Sequence, residues 1–330
     1  MPDAELVKQE APDARASSPA GPERGSGRRS LVFAVAVPLS LVLACRGDRD
    51  PLVSPSNAVT HQVSSRETPS VLLPNGRRLE ARCVGRGQPT VVFENGLGVA
   101  YDSWSKVATR VGTTTRTCVY NRAGIGASDR AHLPRTSADM ATDLEHLLRG
   151  VSVPPYILVG HSIGGFVVRV FADRHPGLVV GLVLIDSAHP DQVAAFERVL
   201  PPRALDSAPV RMFRKEEVDA WTNQGNPESM DLSASAKEVR ATTAPVPFPV
   251  RVVSAGRAPN PFGLPVALNT EVGSAWNTLQ ESLTMLSRDG ARRVSATAGH
   301  FVQYDDPDLV VGEIDELIRR SRVQAATPPR

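Results

Sequence analysis

The sequence predicts an α/β protein with a mostly parallel eight-stranded sheet, helices on both faces and a helical cap inserted after strand 6. Three observations indicate this class: apolar runs alternate with helical patterns, several runs are continuously apolar, and one interval between strands is unusually long. Alternating strands and helices favour parallel strands joined by helices that cover the sheet. The chain has 330 residues, of which 41% are hydrophobic and 22% charged, so it can bury a large core.

Eight segments have the patterns of strands, and three have the period of helices. The predicted strands are residues 71–73, 77–84, 90–94, 117–120, 156–159, 181–185, 249–254 and 293–296. The predicted helices are residues 136–149, 163–174 and 308–319; in the first and the last, apolar residues recur at helical spacing. Between the first two strands, Asn75 and Gly76 predict a hairpin with a tight two-residue turn, since such turns need positive φ angles.

The boundaries of the folded domain follow from changes in composition. We expect the domain to span residues 67–322, with residues 323–330 as a disordered tail. The sixth and seventh strands are separated by about 60 residues, far more than a normal connection. We therefore predict a helical cap over approximately residues 189–247.

Residues 1–45 have the features of an export segment. Arg28 and Arg29 precede an apolar run over residues 31–44, and a small residue stands before Cys45. This order is typical of a secretory signal. The end of the run resembles the lipobox of bacterial lipoprotein precursors, which implies lipidation of Cys45; the alternative is an ordinary signal peptide with an incidental Cys. Residues 46–66 would form a flexible tether, so we expect an exported protein, anchored in the cell envelope through Cys45 or secreted.

Charge and motif content exclude several functions. The formal net charge is +2 with both signs scattered, so the sequence lacks the basic surface of a nucleic-acid-binding protein. No apolar run reaches about 18 residues, which excludes a bundle of membrane-spanning helices. Cys and His are dispersed without the short paired spacings of a metal site, and no phosphate-binding loop of the G-x-x-x-x-G-K type occurs. We predict neither a metal nor a cofactor.

The segment Gly160-His161-Ser162-Ile163-Gly164 matches the G-x-S-x-G pattern of a nucleophile elbow. The pattern by itself is weak, but here it directly follows a predicted strand and directly precedes a predicted helix, which is the context that an elbow requires. Glycines keep side chains out of the sharp turn, so the hydroxyl of Ser162 would project from the carboxyl edge of the sheet. Ser162 is therefore the candidate nucleophile; the alternative is a glycine-rich turn with a solvent-exposed serine.

With two further segments, the elbow gives the chain a resemblance to the α/β-hydrolase superfamily. Residues 93–98 resemble the family's His-Gly turn, with Asn95 in place of His, and residues 120–129 resemble its D-R-x-G-x-G-x-S segment. An Ala-Gly-His-Phe segment with His300 follows the last predicted strand, where the family keeps its catalytic His. The resemblance covers most of residues 67–322 and implies the α/β-hydrolase fold, with His300 as the general base.

The acid that would support this base has two candidates. The family most often places it after the seventh strand, but residues 252–260 contain no carboxylate. Some relatives place the acid at the end of the sixth strand, and there Asp186 follows four apolar residues. A carboxylate at this rim is costly to leave unpaired, and a His partner would hold it ionised. We favour Asp186, in the order Ser162, Asp186, His300 that this fold uses, and keep Asp191 as the alternative.

The expected oxyanion hole consists of the main-chain N–H groups of Leu97 and Ile163. Ile163 follows the nucleophile, and Leu97 follows the Asn95-Gly96 turn, so both groups should converge on the developing oxyanion. The exchange of His for Asn95 keeps this donor, because it belongs to the main chain. We expect His161 to be held in the elbow and to point away from the reaction.

Cys83 and Cys118 are a candidate disulfide pair. In this fold the second strand, with Cys83, lies beside the fourth, with Cys118, and neighbouring strands are about 5 Å apart. An oxidising compartment would preserve the bond. The alternative is a pair of buried free thiols that pack as small apolar groups.

These residues predict an exported serine hydrolase that cleaves a carboxylic ester through an acyl-Ser162 intermediate, with a small-molecule ester or acyl compound as its substrate. Peptidase, lactonase, thioesterase and haloperoxidase activities use the same three groups and stay open, as does a non-catalytic surface binding protein on this scaffold. Five cap residues would either line an acyl pocket or pack the cap helices: Phe196, Leu200, Met212, Phe213 and Trp221.

Overall fold

The structure is a computed structural model that describes residues 70–222, 225–257 and 260–326. Its strands are β1 Ser70–Leu72, β2 Arg78–Val84, β3 Thr90–Glu94, β4 Thr117–Tyr120, β5 Tyr156–His161, β6 Val179–Ile185, β7 Val250–Ala255 and β8 Gly290–Ser295. They form one sheet in the order β1-β2-β4-β3-β5-β6-β7-β8. β2 pairs antiparallel with β1 and β4, and the other neighbours pair parallel, which confirms the predicted mostly parallel sheet of eight strands.

The three predicted helices are present, and the described residues contain others between the strands. The helices are α1 Ser105–Val111, α2 Ser137–Val151, α3 Gly164–Arg174, α4 Gln192–Val199, α5 Ala208–Glu217, α6 Leu232–Arg240, α7 Val266–Ser282, α8 Val302–Asp305 and α9 Pro307–Ala326. Thr136 precedes α2, and its N–H donates to the carboxylate of Asp139 at 2.9 Å. This contact satisfies a donor at the helix start that would otherwise have no intrahelical partner.

The sheet separates two apolar layers because successive side chains of a strand point to opposite faces. In the fully buried strand β5, Tyr156 and Leu158 belong to the layer that holds α2 and α3. Ile157 and Val159 belong to the opposite layer, which holds α1 and α9. A strand with apolar residues on both faces is stable only when both faces are covered, which explains why β5 has no polar alternation.

The hairpin between β1 and β2 is present, but its predicted two-residue turn is wrong. The N–H of Leu73 donates to the carbonyl of Arg77 at 2.8 Å, so the loop comprises three residues. Within that loop Gly76 has a positive φ of 83°, while Asn75 does not have a positive φ. A two-residue turn of the type predicted needs positive φ at both central residues, whereas a three-residue loop needs it only at the last, which is a glycine here.

The chain between β6 and β7 forms the predicted cap and contains α4, α5 and α6. α4 and α5 pack with α7 around an apolar cluster of their own, in which the ring centroids of Phe196 and Phe213 are 5.4 Å apart. α6 packs instead against the helices that cover the sheet, because Ala236 and Val239 belong to the same apolar layer as α2 and α3. The long connection is thus a folded helical insertion with its own core.

The two ends of the chain compare differently with the sequence predictions. Helix α9 continues to Ala326, so the prediction of a disordered tail over residues 323–330 is wrong for residues 323–326; helix-favouring Gln and Ala residues extend the helix there. Residues 327–330 lie outside the described part, as do the predicted export segment, the tether and Cys45. Among the residues described, no helix has the length and apolar content needed to cross a membrane.

Cys83 and Cys118 form the predicted disulfide. The two residues are directly opposite each other in the antiparallel pairing of β2 with β4, with Cα atoms 4.1 Å apart. Both side chains are buried. The register of two neighbouring strands therefore decides the alternative that the sequence left open.

Candidate active site

The carboxyl ends of β5, β6 and β8 hold the three predicted catalytic side chains. Ser162 directly follows β5, Asp186 directly follows β6, and His300 lies in the loop between β8 and α8. Since these strands run parallel, their carboxyl ends meet at one edge of the sheet. In open α/β sheets this edge is where ligands bind.

Ser162 occupies a sharp turn between β5 and α3. Its φ of 52° lies in the left-handed region, which non-glycine residues adopt rarely and mostly at functional sites. Its N–H donates to the carbonyl of Ile185 at 3.1 Å, which ties the turn to the neighbouring strand. A Cβ atom at Gly160 would lie 2.8 Å from the main chain of Gly164, so only glycine fits at this position. The segment 160–164 thus forms the sharp strand-to-helix turn that the sequence predicts, and it contains the candidate nucleophile Ser162.

Asp186 is bonded to His300, and Asp191 is not. Oδ2 of Asp186 lies 2.7 Å from Nδ1 of His300, while Oδ1 accepts the Ala255 N–H at 3.1 Å and the Trp276 Nε1–H at 3.0 Å. Asp186 is 2% exposed. Burial raises the pKa of this carboxyl, but the hydrogen bonds and the charge of His300 outweigh it, so the net pKa of Asp186 is lowered.

Asp191 belongs to a different cluster in the cap. Its carboxylate is exposed and accepts Nε–H of Arg240 at 2.9 Å, and its main-chain N–H donates to Nδ1 of His189 at 3.0 Å. Nε2 of His189 therefore carries the proton and donates to the hydroxyl of Ser282, 3.1 Å away. This is the wrong tautomer for a base acting on Ser282, so the cluster is structural although it contains Ser, His and Asp.

His300 combines a buried partner with an accessible ring. Its side chain is 40% exposed, and its Nδ1 faces Asp186. Burial lowers the pKa of His300, but the hydrogen bond and charge of Asp186 and the charge of Glu217 raise it, with a net increase above the usual 6.5. In the neutral form Nδ1 donates to Asp186, which leaves Nε2 as the proton acceptor.

The Ser162 hydroxyl forms no hydrogen bond to His300 in the part of the chain that the structure describes. Contacts between a nucleophile and its base are often long without substrate and tighten when substrate binds. Ser162 and His300 thus share one sheet edge, where the hydrogen bond between Asp186 and His300 is already formed.

His161 does not point away from the site, contrary to the sequence prediction. Its ring is 1% exposed and lies 4.7 Å, centroid to centroid, from the ring of His300. Burial, with the charge of His300 as the next cause, lowers the pKa of His161 to about 3, so the ring is neutral. Nε2 of His161 lies 2.9 Å from the main-chain carbonyl of His300 and donates to it. His161 therefore supports the loop that carries the candidate base.

The predicted oxyanion loop, residues 95–98, lies beside the elbow. A Cβ atom at Gly96 would be 3.5 Å from the Cβ of Ser162, which places this loop beside the candidate nucleophile. The N–H of Gly98 is already used, since it donates to Glu228 at 2.7 Å. Neither Leu97 nor Ile163 uses its N–H in a turn, loop or side-chain hydrogen bond of the described residues, so both stay candidate oxyanion donors.

A buried charge cluster behind the oxyanion loop could not be predicted from the sequence. The guanidinium of Arg122 contacts Glu94 and Glu228, and all three side chains are at most 2% exposed. The sequence contains one indication of this cluster, because Arg122 lies in the segment that resembles the D-R-x-G-x-G-x-S motif. The motif does not indicate which residues would bind Arg122. Glu94 and Glu228 lie 134 positions apart in the sequence, so the cluster exists only in the folded chain.

The cap residues offered as pocket lining mostly pack the cap or the core. Phe196, Leu200 and Phe213 belong to the apolar cluster of the cap, and the ring of Trp221 packs edge-on against Phe166 at 6.0 Å. Met212 is 56% exposed. Of the two roles that the sequence left open, the structure thus favours packing for the four buried residues.

The part of the chain that the structure describes contains no group of three His, Cys, Asp or Glu side chains that could hold a metal ion. Ser162, Asp186 and His300 lie at this sheet edge, together with the buried neutral ring of His161. The predicted oxyanion loop lies beside Ser162, since a Cβ atom on Gly96 would be 3.5 Å from the Cβ of Ser162.

Residues 89–217 match the sequence model of a family described as the alpha/beta hydrolase fold. The Bacillus subtilis protein YqjL is 26% identical over 228 residues, which cover 68% of this chain and 82% of YqjL. An AB hydrolase superfamily protein of Gibberella zeae is 26% identical over 282 residues, which cover 71% of this chain and 88% of the relative.

Solved structures show the same architecture. Mouse alpha/beta hydrolase domain-containing protein 10 superposes with a TM-score of 0.53 at 19% identity, covering 76% of this chain and 98% of the mouse protein. A thermophilic esterase from Thermogutta terrifontis superposes with a TM-score of 0.52 at 19% identity, covering 76% and 97%. At such identities the likeness shows the fold, which is that of the α/β hydrolases.

Proposed function

Because residues 89–217 match the alpha/beta hydrolase family and the chain has that fold, we propose that it is a serine hydrolase that cleaves a carboxylic ester through an acyl-Ser162 intermediate. The observation that carries the proposal is the 2.7 Å hydrogen bond between Asp186 and His300, at the sheet edge where the elbow presents Ser162. A carboxylate, an imidazole and a serine hydroxyl at one edge are the groups that acyl transfer needs.

In the proposed first half-reaction, the Ser162 oxygen attacks the carbonyl carbon of the ester while Nε2 of His300 takes the hydroxyl proton. The carbonyl oxygen becomes an oxyanion, which the N–H groups of Leu97 and Ile163 stabilise. Asp186 stabilises the imidazolium that forms. When the intermediate collapses, the bond to the alkoxy group breaks, and His300 returns the proton to the departing alcohol.

The second half-reaction releases the acyl group. A water molecule attacks the acyl carbon of the Ser162 ester, and His300 takes one proton from that water. Collapse of the second oxyanion breaks the bond to the Ser162 oxygen, which regains a proton from His300. The products are a carboxylic acid and the free enzyme, so protons and bonds balance over the cycle.

The proposed location is outside the cytoplasm, with the protein anchored in the cell envelope through lipidated Cys45 or secreted. The apolar run over residues 31–44, followed by Cys45, supports this part of the proposal. The buried disulfide between Cys83 and Cys118 also supports it, since disulfides persist in oxidising compartments.

Hydrolysis of p-nitrophenyl acetate and p-nitrophenyl butyrate by the full-length protein tests the proposal, with Ser162→Ala as the paired variant. We expect release of p-nitrophenol by the wild type, labelling of the wild type by a fluorophosphonate probe, and loss of both in Ser162→Ala. Labelling without hydrolysis of either ester would contradict the substrate class, whereas absence of both would refute the hydrolase and favour a binding scaffold.

A further inference from the structure

Arg122 binds two main-chain carbonyls of the predicted oxyanion loop, residues 95–98. Its guanidinium is 2% exposed and donates from Nη1 to the carbonyl of Asn95 at 2.6 Å and from Nη2 to the carbonyl of Gly96 at 2.6 Å. These are the two residues directly before Leu97, whose N–H is a proposed oxyanion donor. A charged donor on two consecutive carbonyls fixes the orientation of two consecutive peptide planes.

The orientation of the second plane decides where the Leu97 N–H points. The carbonyl of Gly96 and the N–H of Leu97 belong to the same peptide unit, and a trans peptide is planar with these two groups pointing in opposite directions. Since Arg122 draws the Gly96 carbonyl toward itself, it turns the Leu97 N–H to the opposite side of the loop. We infer that this side faces Ser162, since a Cβ atom built on Gly96 would lie 3.5 Å from the Cβ of Ser162.

Glu228 of the cap completes this arrangement. Its carboxylate binds Arg122 through two hydrogen bonds, one from Nε at 2.7 Å to Oε2 and one from Nη2 to Oε1. Oε1 also accepts the N–H of Gly98 at 2.7 Å. The carboxylate therefore binds both Arg122, which holds the two carbonyls before Leu97, and the peptide N–H directly after Leu97.

The cap segment 226–230 is built to present Glu228. The side-chain oxygen of Asn226 accepts the N–H groups of Glu228 at 3.3 Å and of Met230 at 2.9 Å, which closes a tight turn. Pro227 packs on Gly98 so closely that a Cβ atom there would lie 3.0 Å away. Any side chain at position 98 would push this segment away from the loop.

The two carboxyl groups that contact Arg122 differ in the direction of their pKa shifts. Arg122 also contacts Glu94 at 2.5 Å, and Tyr120 donates its hydroxyl proton to the same carboxylate. Burial raises the pKa of Glu94 above its usual value, despite Arg122. Burial also raises the pKa of Glu228, but the charge and hydrogen bonds of Arg122 and the Gly98 N–H outweigh it and lower the net pKa. The lowered pKa keeps Glu228 ionised at neutral pH, so that its charge can bind Arg122.

We propose that Arg122 and Glu228 are positioning residues that orient the Leu97 N–H toward the reacting carbonyl oxygen, so that the oxyanion hole is complete only when cap segment 226–230 is docked on the loop. This inference rests on the proposed function. It makes the cap a part of the catalytic geometry and not only a cover over the site.

The first measurement separates transition-state stabilisation from substrate binding. Glu228→Gln keeps the shape of the side chain but loses the charge that holds Arg122. We expect kcat for p-nitrophenyl acetate to fall by about tenfold to a hundredfold with KM changed less than about twofold, since loss of an entire oxyanion donor costs about 10²- to 10³-fold. An unchanged kcat in folded Glu228→Gln protein would overturn the inference.

The second measurement compares hydrolysis of an ester and its thiono analogue, which differ in the atom that accepts the hydrogen bonds of the oxyanion hole. The thiono ester of the same acid and leaving group has sulfur in place of the carbonyl oxygen, and sulfur accepts hydrogen bonds weakly. We expect the oxygen-to-sulfur ratio of kcat/KM to be high in the wild type and to fall by at least about fivefold in Glu228→Gln, because a misaligned donor distinguishes the two atoms less. This ratio does not depend on the fraction of protein that is folded, because the same folded molecules hydrolyse both esters. An unchanged ratio would overturn the inference.

Asp206→Asn is the matched control. Asp206 is another cap carboxylate that binds a buried arginine through two hydrogen bonds, from Nε of Arg214 at 2.7 Å and from Nη2 at 3.1 Å. In the described part of the chain, neither Asp206 nor Arg214 forms a hydrogen bond or ion pair with residues 95–98. We expect Asp206→Asn to keep the wild-type ratio. If Asp206→Asn lowers the ratio as much as Glu228→Gln, the effect is general to the cap and the inference is wrong. A wild type that neither hydrolyses esters nor reacts with fluorophosphonate refutes the proposed function itself, which is a separate outcome.

Discussion

Replacement of Asp186 by Asn is expected to remove most of the ester hydrolysis proposed above without disturbing the fold. Oδ1 of Asp186 accepts two N–H groups, those of Ala255 at 3.1 Å and Trp276 at 3.0 Å. Among the described residues, Oδ2 accepts a hydrogen bond from Nδ1–H of His300 alone, at 2.7 Å. An Asn side chain has the same shape, and its oxygen must take the Oδ1 position because two donors point there. Its NH₂ group then faces Nδ1 of His300.

This rearrangement changes the tautomer of the base. The NH₂ group donates to Nδ1 of His300, so the proton of the neutral imidazole moves to Nε2, which then has no lone pair for the Ser162 proton. The variant also loses the negative charge that stabilises the imidazolium. We expect kcat at pH 7 to fall by about 10³- to 10⁴-fold, the loss expected when a catalytic His is held in the wrong tautomer.

Initial rates with p-nitrophenyl acetate measure this effect, with thermal unfolding as the check that the variant is folded. Asp191→Asn is the control, because Asp191 is exposed and bonded to Arg240; we expect its rate to stay within about twofold of the wild type, as is usual for exposed ion pairs. A folded Asp186→Asn protein that keeps more than about a tenth of the wild-type rate would refute the assignment of the acid.

Three other predictions concern the base, the disulfide and the export segment. The kcat/KM of the wild type should rise with pH and reach half its maximum above pH 6.5, because only neutral His300 accepts a proton and its pKa is raised; a midpoint below 6.5 would contradict this. Replacing both Cys83 and Cys118, which are 35 positions apart, by Ala should lower the free energy of unfolding by about 2–4 kcal/mol in urea titrations; an unchanged midpoint would argue against a stabilising bond. Labelled palmitate should enter the wild type but not Cys45→Ala, and equal labelling of the two would exclude lipidation at this residue.

The elements of the sheet could be predicted from the sequence because each depends on a local pattern. The segments predicted at 90–94 and 117–120 coincide with β3 and β4, since continuous apolar runs of that length suit strands buried on both faces. The hairpin loop was harder, because residues 74–76 are compatible with two loop lengths. Its length depends on which residues of β1 and β2 pair across the hairpin.

The sequence also predicted the turn that contains Ser162, but it could not decide which carboxylate pairs with His300. Ser162 stands between a strand pattern and a helix pattern, and the glycines on both sides of it leave the room that a sharp strand-to-helix turn needs. Asp186 and Asp191 both follow the sixth strand, and the sequence could only favour one of them. The difference arises because His300, which is 114 positions after Asp186, packs against one and not the other.

The sequence alone therefore determined the succession of strands and helices, the long insertion after β6 and the position of the elbow, because steric preferences and apolar periodicity act between neighbours in the chain. Only the tertiary structure decided that His161 supports the loop of His300 and that Glu228 reaches Arg122, which is 106 positions away. Such contacts depend on desolvation and hydrogen bonding of groups brought together by packing, and no local pattern encodes which buried charge will meet which.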